Sequence, residues 1–175
     1  MEKGLVHIYC GDGKGKTTAA LGLALRAAGR GKKVLLARFL KTDDSGEVAA
    51  LKNIPGITLI PCERTFGFLS HMTEEEKREA KDWYGKVLEK TLVLAAEENY
   101  DLLILDEAMA ACNGKVIDEE RIIHFLENRP LKMEVVLTGR NPSERLLDKA
   151  DYISEIRAVR HPYKKGIAAR EGIEY

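Results

Sequence analysis

Short apolar runs and amphipathic stretches alternate along the whole chain. Six apolar runs, each stopped by glycine, proline or charged residues, predict buried β-strands. They occupy 5–10, 33–40, 56–62, 101–107, 133–139 and 151–159. Between them, apolar residues recur at helical spacing and predict helices over 16–29, 73–100, 118–128 and 142–150. This alternation predicts an α/β fold, with a mainly parallel sheet of five or six strands and helices on both faces.

Polar residues, glycines and prolines mark several element ends. Gly29 follows the first helix and predicts its stop, and Pro61 ends the third strand. Thr73, followed by three glutamates, predicts a capped start for the long helix. The segment 42–47 (TDDSGE) reads as a polar loop, and 63–72 has no clean period. In parallel α/β sheets ligands bind beyond the carboxyl ends of the strands, so function is expected in the loops that follow them.

Length and charge narrow the class of protein. The 175 residues suit one domain over 1–175, and 28 basic against 28 acidic side chains argue against a general nucleic-acid-binding protein. Every apolar run is too short to cross a membrane, and the first strand begins at once, which leaves no room for a signal peptide. Three widely spaced cysteines predict a reduced, cytoplasmic protein, and neither they nor the four histidines have metal-site spacing.

The stretch YCGDGKGKTT joins the first predicted strand to the first helix. The common phosphate-binding loop, G-x-x-x-x-G-K-[ST], would place its first glycine at Cys10, but here the glycine comes one residue later. Glycines at 11, 13 and 15 let backbone N–H groups turn inward, Lys16 can neutralise phosphate charge, and Thr17 can bind magnesium. A glycine-rich turn that only caps the helix is the plainer interpretation. The strand–loop–helix context favours a nucleoside triphosphate site with a shortened cradle.

A second pattern closes the fourth predicted strand. LLILDE ends in Asp106 and Glu107, which is a Walker B pattern. In P-loop ATPases the aspartate steadies the metal and the glutamate often activates water, although either carboxylate could instead cap a helix or pair with a cation. Arg140, after the fifth strand, could reach phosphate or pair with an acid. The shortened loop and the carboxylate pair together predict a P-loop NTPase-like nucleotide-binding domain.

Eight segments occur in a recognisable order: GDGKGKTTAALGLALRAAG, ARFLK, SGE, TFGF, LLILDE, VVLTGRNP, LLDKADYISEI and GIEY. Together they resemble the P-loop type of corrinoid adenosyltransferase (ATP:cob(I)alamin or cob(I)yrinic acid a,c-diamide adenosyltransferase), over nearly the whole chain. The shortened loop is part of that family's pattern. The resemblance implies transfer of the 5′-deoxyadenosyl group of ATP to Co(I) of a reduced corrinoid, in adenosylcobalamin biosynthesis or salvage. It also implies that triphosphate leaves intact and that ATP lies across the loop in the reverse of the usual sense.

The resemblance also implies which residues form the site. By position, the triphosphate is expected on Gly11, Asp12, Gly13, Lys14, Gly15, Lys16, Thr17 and Thr18. Magnesium is expected to bind Thr17 and Glu107 directly, and Asp106 is expected to lie behind these ligands without contacting the ion. Arg26 and Lys41 match positions near the nucleotide, and Arg140 is expected to contact phosphate.

Two residues are expected to act directly in the reaction. Lys16 stabilises the leaving triphosphate, and Phe68 lies under the corrinoid and displaces the lower cobalt ligand. Without the resemblance, Phe66 and Phe68 read as a local hydrophobic staple. Two features depart from some members of the family and bear on how the corrinoid is enclosed. The chain begins at the first strand without a leading helix, and Leu69 and Ser70 follow Phe68 where a second aromatic can occur.

The resemblance further implies an electron donor such as a flavoprotein, and a homodimer. Two other functions suit a P-loop: an ATPase or kinase that cleaves the β–γ bond, and a nucleotide-binding switch without turnover. The short loop and the lack of an evident catalytic base or acceptor site argue against the first function. Intact Lys16, Thr17 and Glu107 argue against the second.

Overall fold

The computed structural model of the chain describes residues 3–64, 66–67 and 71–174. The strands it contains are β1 Val6–Cys10, β2 Val34–Arg38, β3 Ile57–Leu59, β4 Leu102–Asp106, β5 Glu134–Thr138 and β6 Tyr152–Glu155. The helices are α1 Lys16–Ala28, α2 Gly46–Leu51, α3 Glu74–Glu97, α4 Ala108–Asn113, α5 Glu119–Asn128 and α6 Glu144–Leu147, with a short 3-10 helix at Pro162–Lys165. The α/β fold predicted from the sequence is confirmed.

The six strands form one parallel sheet in the order β3-β2-β4-β5-β1-β6. One row of the register runs across five of them, from Ala37 through Leu105, Leu137 and Ile8 to Ile153. Because all pairs are parallel, the carboxyl ends of β4, β5 and β1 lie side by side at one edge. The loops that carry the predicted phosphate and metal residues follow those strands.

The hydrophobic core lies on both faces of the sheet. Alternate residues of β2 point to opposite sides, so Leu35 belongs to one apolar cluster and Leu36 to the other. The larger cluster includes residues of α3 and α5, and the smaller one includes Ala20 and Ala24 of α1, both fully buried. Small side chains on α1 let this helix lie close to the strands. Helices therefore cover both faces, as the alternating pattern predicted.

The element ends match the sequence prediction best where a local signal sets them. Thr73 and Glu76 form a reciprocal capping box at the start of α3. By contrast, α2 and α4 were not predicted, because six residues are too few to show a helical period. The segment 42–47, predicted to be a loop, contains the first residues of α2. β3, β6 and α6 are shorter than their apolar patterns.

In the described part of the chain, no helix combines the length and the apolar character needed to cross a membrane. Cys10, Cys62 and Cys112 are all free thiols in the structure.

Candidate nucleotide-binding site

The loop between β1 and α1 lies against the backbone that follows β6. The Gly13 N–H donates to the carbonyl of Ile156 at 2.7 Å. A Cβ added to Gly11 or Gly13 would lie 2.3 or 2.7 Å from that same oxygen, and Gly11 and Gly15 have φ angles of +107° and +116°. The first two glycines therefore permit a close backbone approach, and Gly11 and Gly15 permit left-handed turns.

The C-terminal segment, residues 157–174, flanks the outer side of this loop. Asp12 accepts a hydrogen bond from the Ala158 N–H at 2.9 Å, which holds the pKa of the Asp12 carboxyl below its usual value. Lys14 lies 3.8 Å from a Glu174 carboxylate oxygen. Between them is a cavity of about 360 Å³, lined by Lys14 and by C-terminal residues that include Arg157 and Tyr163. The loop therefore lies between the sheet and a basic surface segment.

The amino end of α1 is open to an anion. Gly15 is its N-cap, no side chain caps the helix, and the first turn contains no acidic residue. By contrast, α3, α5 and α6 each receive a side-chain cap. An uncapped helix start, with its N–H groups and the positive end of the helix dipole facing a glycine loop, is an anion-binding arrangement.

Lys16 is buried directly beneath the loop. Its side chain is only 7% exposed, and the ammonium donates to the Gly13 carbonyl at 2.8 Å. Burial lowers the pKa of Lys16, while the nearby Glu107 carboxylate opposes the shift and the Arg140 charge adds to it. A buried ammonium beside an uncapped helix start can bind a polyphosphate strongly, since water does not screen the interaction there.

Asp106 at the end of β4 is the centre of a hydrogen-bond network. The Asp106 side chain is 1% exposed. It accepts hydrogen bonds from the Thr17 hydroxyl at 2.9 Å and from the Thr138 hydroxyl at 2.6 Å. Thr138 in turn accepts from the Glu107 N–H at 2.9 Å. The network therefore ties α1, β4 and β5 together at the sheet edge where the loop begins.

Lys41 completes this network from the loop after β2. Its ammonium donates to Thr17 Oγ1 and to Asp106 Oδ2, each at 2.7 Å. Leu40 turns the chain with a φ of +57°, and the Cys62 thiol donates to the Lys41 carbonyl at 2.7 Å. Lys41 therefore lies beside the start of α1, and its predicted place near the nucleotide stays a prediction.

The structure brings Thr17 to Asp106 rather than to Glu107. Glu107 is half-buried, has a φ of +58° and is the N-cap of α4. The hydrogen bonds of the described residues include two from Thr17 to Asp106 and none from Thr17 to Glu107. The described residues contain no group of three or more His, Cys, Asp or Glu side chains that could hold a metal alone. Magnesium binding by Thr17 and Glu107 therefore stays a prediction, in which phosphate oxygens would supply further ligands.

The two predicted arginines lie in different places. Arg140 follows β5, is exposed, and lies close enough for its charge to contribute to lowering the pKa values of Lys16 and Asp12. Arg26 is in the last turn of α1, about 15 Å along the helix from Lys16. There it lines a cavity of about 680 Å³ with His7 and Glu134, at the amino ends of the strands. Within one chain Arg26 is separated from the loop, so its contact with the nucleotide stays a prediction.

The aromatic loop is described only in part. Phe66 packs on Tyr84 with ring centroids 5.7 Å apart, and the Arg64 guanidinium lies 4.5 Å from the Phe66 ring centroid. Phe66 therefore packs against the core, through a residue of α3 that is distant in the sequence. Phe68, Leu69 and Ser70 lie outside the described residues.

Sequence reasoning missed three contributors to the site. Thr138 holds Asp106, the Ile156 carbonyl holds the loop, and the buried Arg38 donates to the Thr42 carbonyl at 3.1 Å and pairs with Asp43. The sequence could have pointed to Arg38, because a charged residue at the end of an otherwise apolar strand predicts a specific partner for its charge. The Thr138 and Ile156 contacts involve residues common in any strand and have no sequence signature.

Comparisons with known proteins agree with this geometry. The family model described as ATP:corrinoid adenosyltransferase BtuR/CobO/CobP matches residues 2–175. The corrinoid adenosyltransferase of Escherichia coli K12 is 32% identical over 99% of this chain and 87% of its own length. The corrinoid adenosyltransferase CobA of Salmonella typhimurium is 34% identical over 99% and 87%. The corresponding protein of a Sinorhizobium species is 33% identical over 99% and 81%. A shortened phosphate loop, its buried lysine and full-length similarity lead to one conclusion: the chain belongs to the ATP:corrinoid adenosyltransferase family.

Proposed function

We propose that this protein transfers the 5′-deoxyadenosyl group of ATP to the Co(I) centre of a reduced corrinoid in cobalamin biosynthesis or salvage. One observation carries the proposal: full-length membership of the family coincides with a shortened phosphate loop whose lysine is buried beneath it. In this reaction cobalt is the nucleophile and the ribose C5′ is the electrophile. The Co–C bond forms, the C5′–O bond breaks, and its electron pair leaves on triphosphate.

The residues of the chain bind and stabilise the leaving group. The N–H groups of the uncapped α1 start can bind the triphosphate, and the Lys16 ammonium offsets its charge. Arg140 and the basic C-terminal segment add positive potential at the mouth of the site. Because Co(I) is a strong nucleophile with no proton to remove, the protein needs no general base, and alignment of the two substrates accounts for much of the rate.

The oxygens at the site suit magnesium. The Thr17 hydroxyl and a nearby carboxylate are the kinds of ligand that the ion prefers, and the Lys41 ammonium already lies on the Thr17 hydroxyl and the Asp106 carboxylate. Bound magnesium would draw charge from the leaving triphosphate. In this proposal Thr17 and Glu107 hold the ion with phosphate oxygens, and Asp106 orients Thr17.

The proposal also covers the electron donor, the oligomeric state, the cellular location and the role of Phe68. An electron donor such as a flavoprotein supplies Co(I), the enzyme acts as a homodimer, and it works in the cytoplasm. Phe68, which follows β3 in the sequence, displaces the lower cobalt ligand and so favours reduction.

The decisive test is the identity of the phosphorus product. With excess Co(I) corrinoid, ³¹P NMR is expected to show intact triphosphate in step with formation of the Co–C bond. An ATP analogue with a non-cleavable β–γ bridge is expected to remain an adenosyl donor, because that bond stays intact. Stoichiometric ADP, or an analogue that binds normally but does not react, would support phosphoryl transfer instead.

A further inference from the structure

We propose that Lys41 is a tethered cation that occupies the magnesium position of the nucleotide-free enzyme and leaves it when the metal arrives with ATP. The inference rests on the proposed function for the arrival of metal with nucleotide. It concerns a residue whose hydrogen bonds, rather than its position in the sequence, point to the role.

The geometry of Lys41 matches that of a bound cation. Its ammonium nitrogen lies 2.7 Å from Thr17 Oγ1 and 2.7 Å from Asp106 Oδ2. In the proposed site magnesium would bind the first of these two groups, the Thr17 hydroxyl, and its other protein ligand, Glu107, is the residue after Asp106. An ammonium and a divalent ion cannot both lie on the Thr17 hydroxyl, because two positive charges a few ångströms apart repel strongly at a partly buried site. Occupancy by Lys41 and by metal is therefore mutually exclusive.

The buried carboxylate of Asp106 explains why the nucleotide-free enzyme needs a placeholder, meaning a cation of its own at this position. Asp106 is 1% exposed, and a buried carboxylate without a cationic partner is costly. The hydroxyls of Thr17 and Thr138 satisfy Asp106 as hydrogen-bond donors but bring no charge. In the described part of the chain, the ion-pair partner of Asp106 is Lys41, whose side chain is 25% exposed. The folded enzyme thus keeps the carboxylate neutralised before any metal binds.

The structure anchors the Lys41 backbone while leaving its side chain able to move. The Cys62 thiol binds the Lys41 carbonyl, and Arg38 binds the next carbonyl, at Thr42. Leu40, in the left-handed region, sets the turn that aims Lys41 at the site. Displacement therefore requires only side-chain rotation, after which the ammonium can pair with triphosphate oxygens bound at the neighbouring loop.

The consequence is a coupling between metal and nucleotide. Magnesium alone must displace Lys41 to reach the Thr17 hydroxyl, whereas magnesium that arrives with triphosphate brings its own ligands and offers the ammonium a new partner. We expect the free enzyme to bind a divalent ion weakly and to bind it well once a triphosphate is present.

The experiment measures Mn²⁺ binding to nucleotide-free protein by electron paramagnetic resonance. Lys41→Met, which keeps the length of the side chain and removes its charge, is expected to bind Mn²⁺ at least about tenfold more tightly than wild type. Inorganic triphosphate is expected to shrink this difference, since it makes wild type bind Mn²⁺ well. Lys41→Gln serves as a second neutral variant should Lys41→Met lose its native circular dichroism.

Lys32→Met is the matched control. Lys32 also forms a Lys–Asp pair, with Asp101 at 3.3 Å, but at the amino ends of the strands. The Lys32→Met substitution removes the same charge and is expected to leave the Mn²⁺ affinity at the wild-type value. The placeholder role is wrong if the neutral Lys41 variants bind Mn²⁺ no more tightly than wild type, or if Lys32→Met binds it as tightly as they do. Since neither ATP nor corrinoid is present in the first measurement, its result is independent of whether adenosyl transfer occurs.

Discussion

Three lysines surround the candidate site, and their environments differ. Lys16 is buried and donates to the Gly13 carbonyl, whereas the side chain of Lys14 is half-exposed and lies 3.8 Å from Glu174. Lys41 is paired with the buried Asp106. A charge interaction strengthens as water is removed, so equal charges at these positions are expected to contribute unequally.

Lys16→Ala is expected to abolish adenosyl transfer while leaving the protein folded. The ammonium is placed to offset charge on the leaving triphosphate, and removal of such a stabilising group typically costs about 3 kcal/mol of barrier. Transfer is measured by the absorbance change on mixing ATP with Co(I) corrinoid, and folding by circular dichroism. Lys14→Ala provides the comparison, and we expect a much smaller loss because water screens that charge. Near-normal turnover by folded Lys16→Ala would show that this loop does not bind the triphosphate.

At the scale of elements, the loop before α1 and the backbone after β6 form one structural unit. The Gly13 N–H binds the Ile156 carbonyl, and Asp12 binds the Ala158 N–H. The glycines are therefore required by contact with a neighbouring backbone as well as by the turn itself. Changes on the β6 side are expected to alter the phosphate loop.

Two glycine-to-alanine substitutions compare a glycine that packs against the backbone after β6 with a glycine that has open space around it. In Gly13→Ala the new Cβ would lie 2.7 Å from the Ile156 carbonyl oxygen, so loop and backbone must separate. We expect a loss of about 1–3 kcal/mol of unfolding free energy and weaker ATP binding.

Gly22→Ala is the matched control for that substitution. Gly22 is exposed in the middle of α1, and nothing lies within 4 Å of its added Cβ. We expect a gain of about 0.5–1 kcal/mol in unfolding free energy, because alanine loses less backbone entropy in a helix. Urea unfolding measures both variants. Equal stability changes in the two proteins would contradict the packing of the loop against the β6 backbone.

At the scale of the whole molecule, the C-terminal segment lies outside the hydrophobic core. Residues 157–174 are exposed or half-buried, and none belongs to either apolar cluster. The segment nevertheless reaches the phosphate loop through Lys14 and Glu174, and it carries several basic side chains. Its expected contribution is therefore to ligand binding rather than to folding.

Deletion of residues 159–175 tests this division. We expect the melting temperature to change by less than about 3 °C, because little apolar surface is lost. The affinity for ATP is expected to fall by roughly tenfold, because the positive potential beside the loop falls. Thermal melts and calorimetric ATP titrations measure the two quantities. A large drop in melting temperature would show that the segment is part of the structural core.

Local features were determined by the sequence alone. The glycine loop with Lys16 and Thr17, the capping box at Thr73, and the alternation of strands and helices all depend on residues close together in the chain. Such interactions repeat wherever the same short pattern occurs, so pattern and spacing predict them. The ordered set of motifs also identified the family, which the comparisons confirmed.

The assembly of the site was decided by the tertiary structure. Thr17 and Asp106 are 89 residues apart, and Lys41 and Asp106 are 65 apart, yet they share hydrogen bonds. These contacts depend on the strand order, which places β2, β4, β5 and β1 side by side. Hydrophobic periodicity shows which face of a strand is buried but not which strand lies next to it. The carboxylate that binds Thr17, and the lysine that occupies the cation position, therefore became visible only when the sheet was assembled.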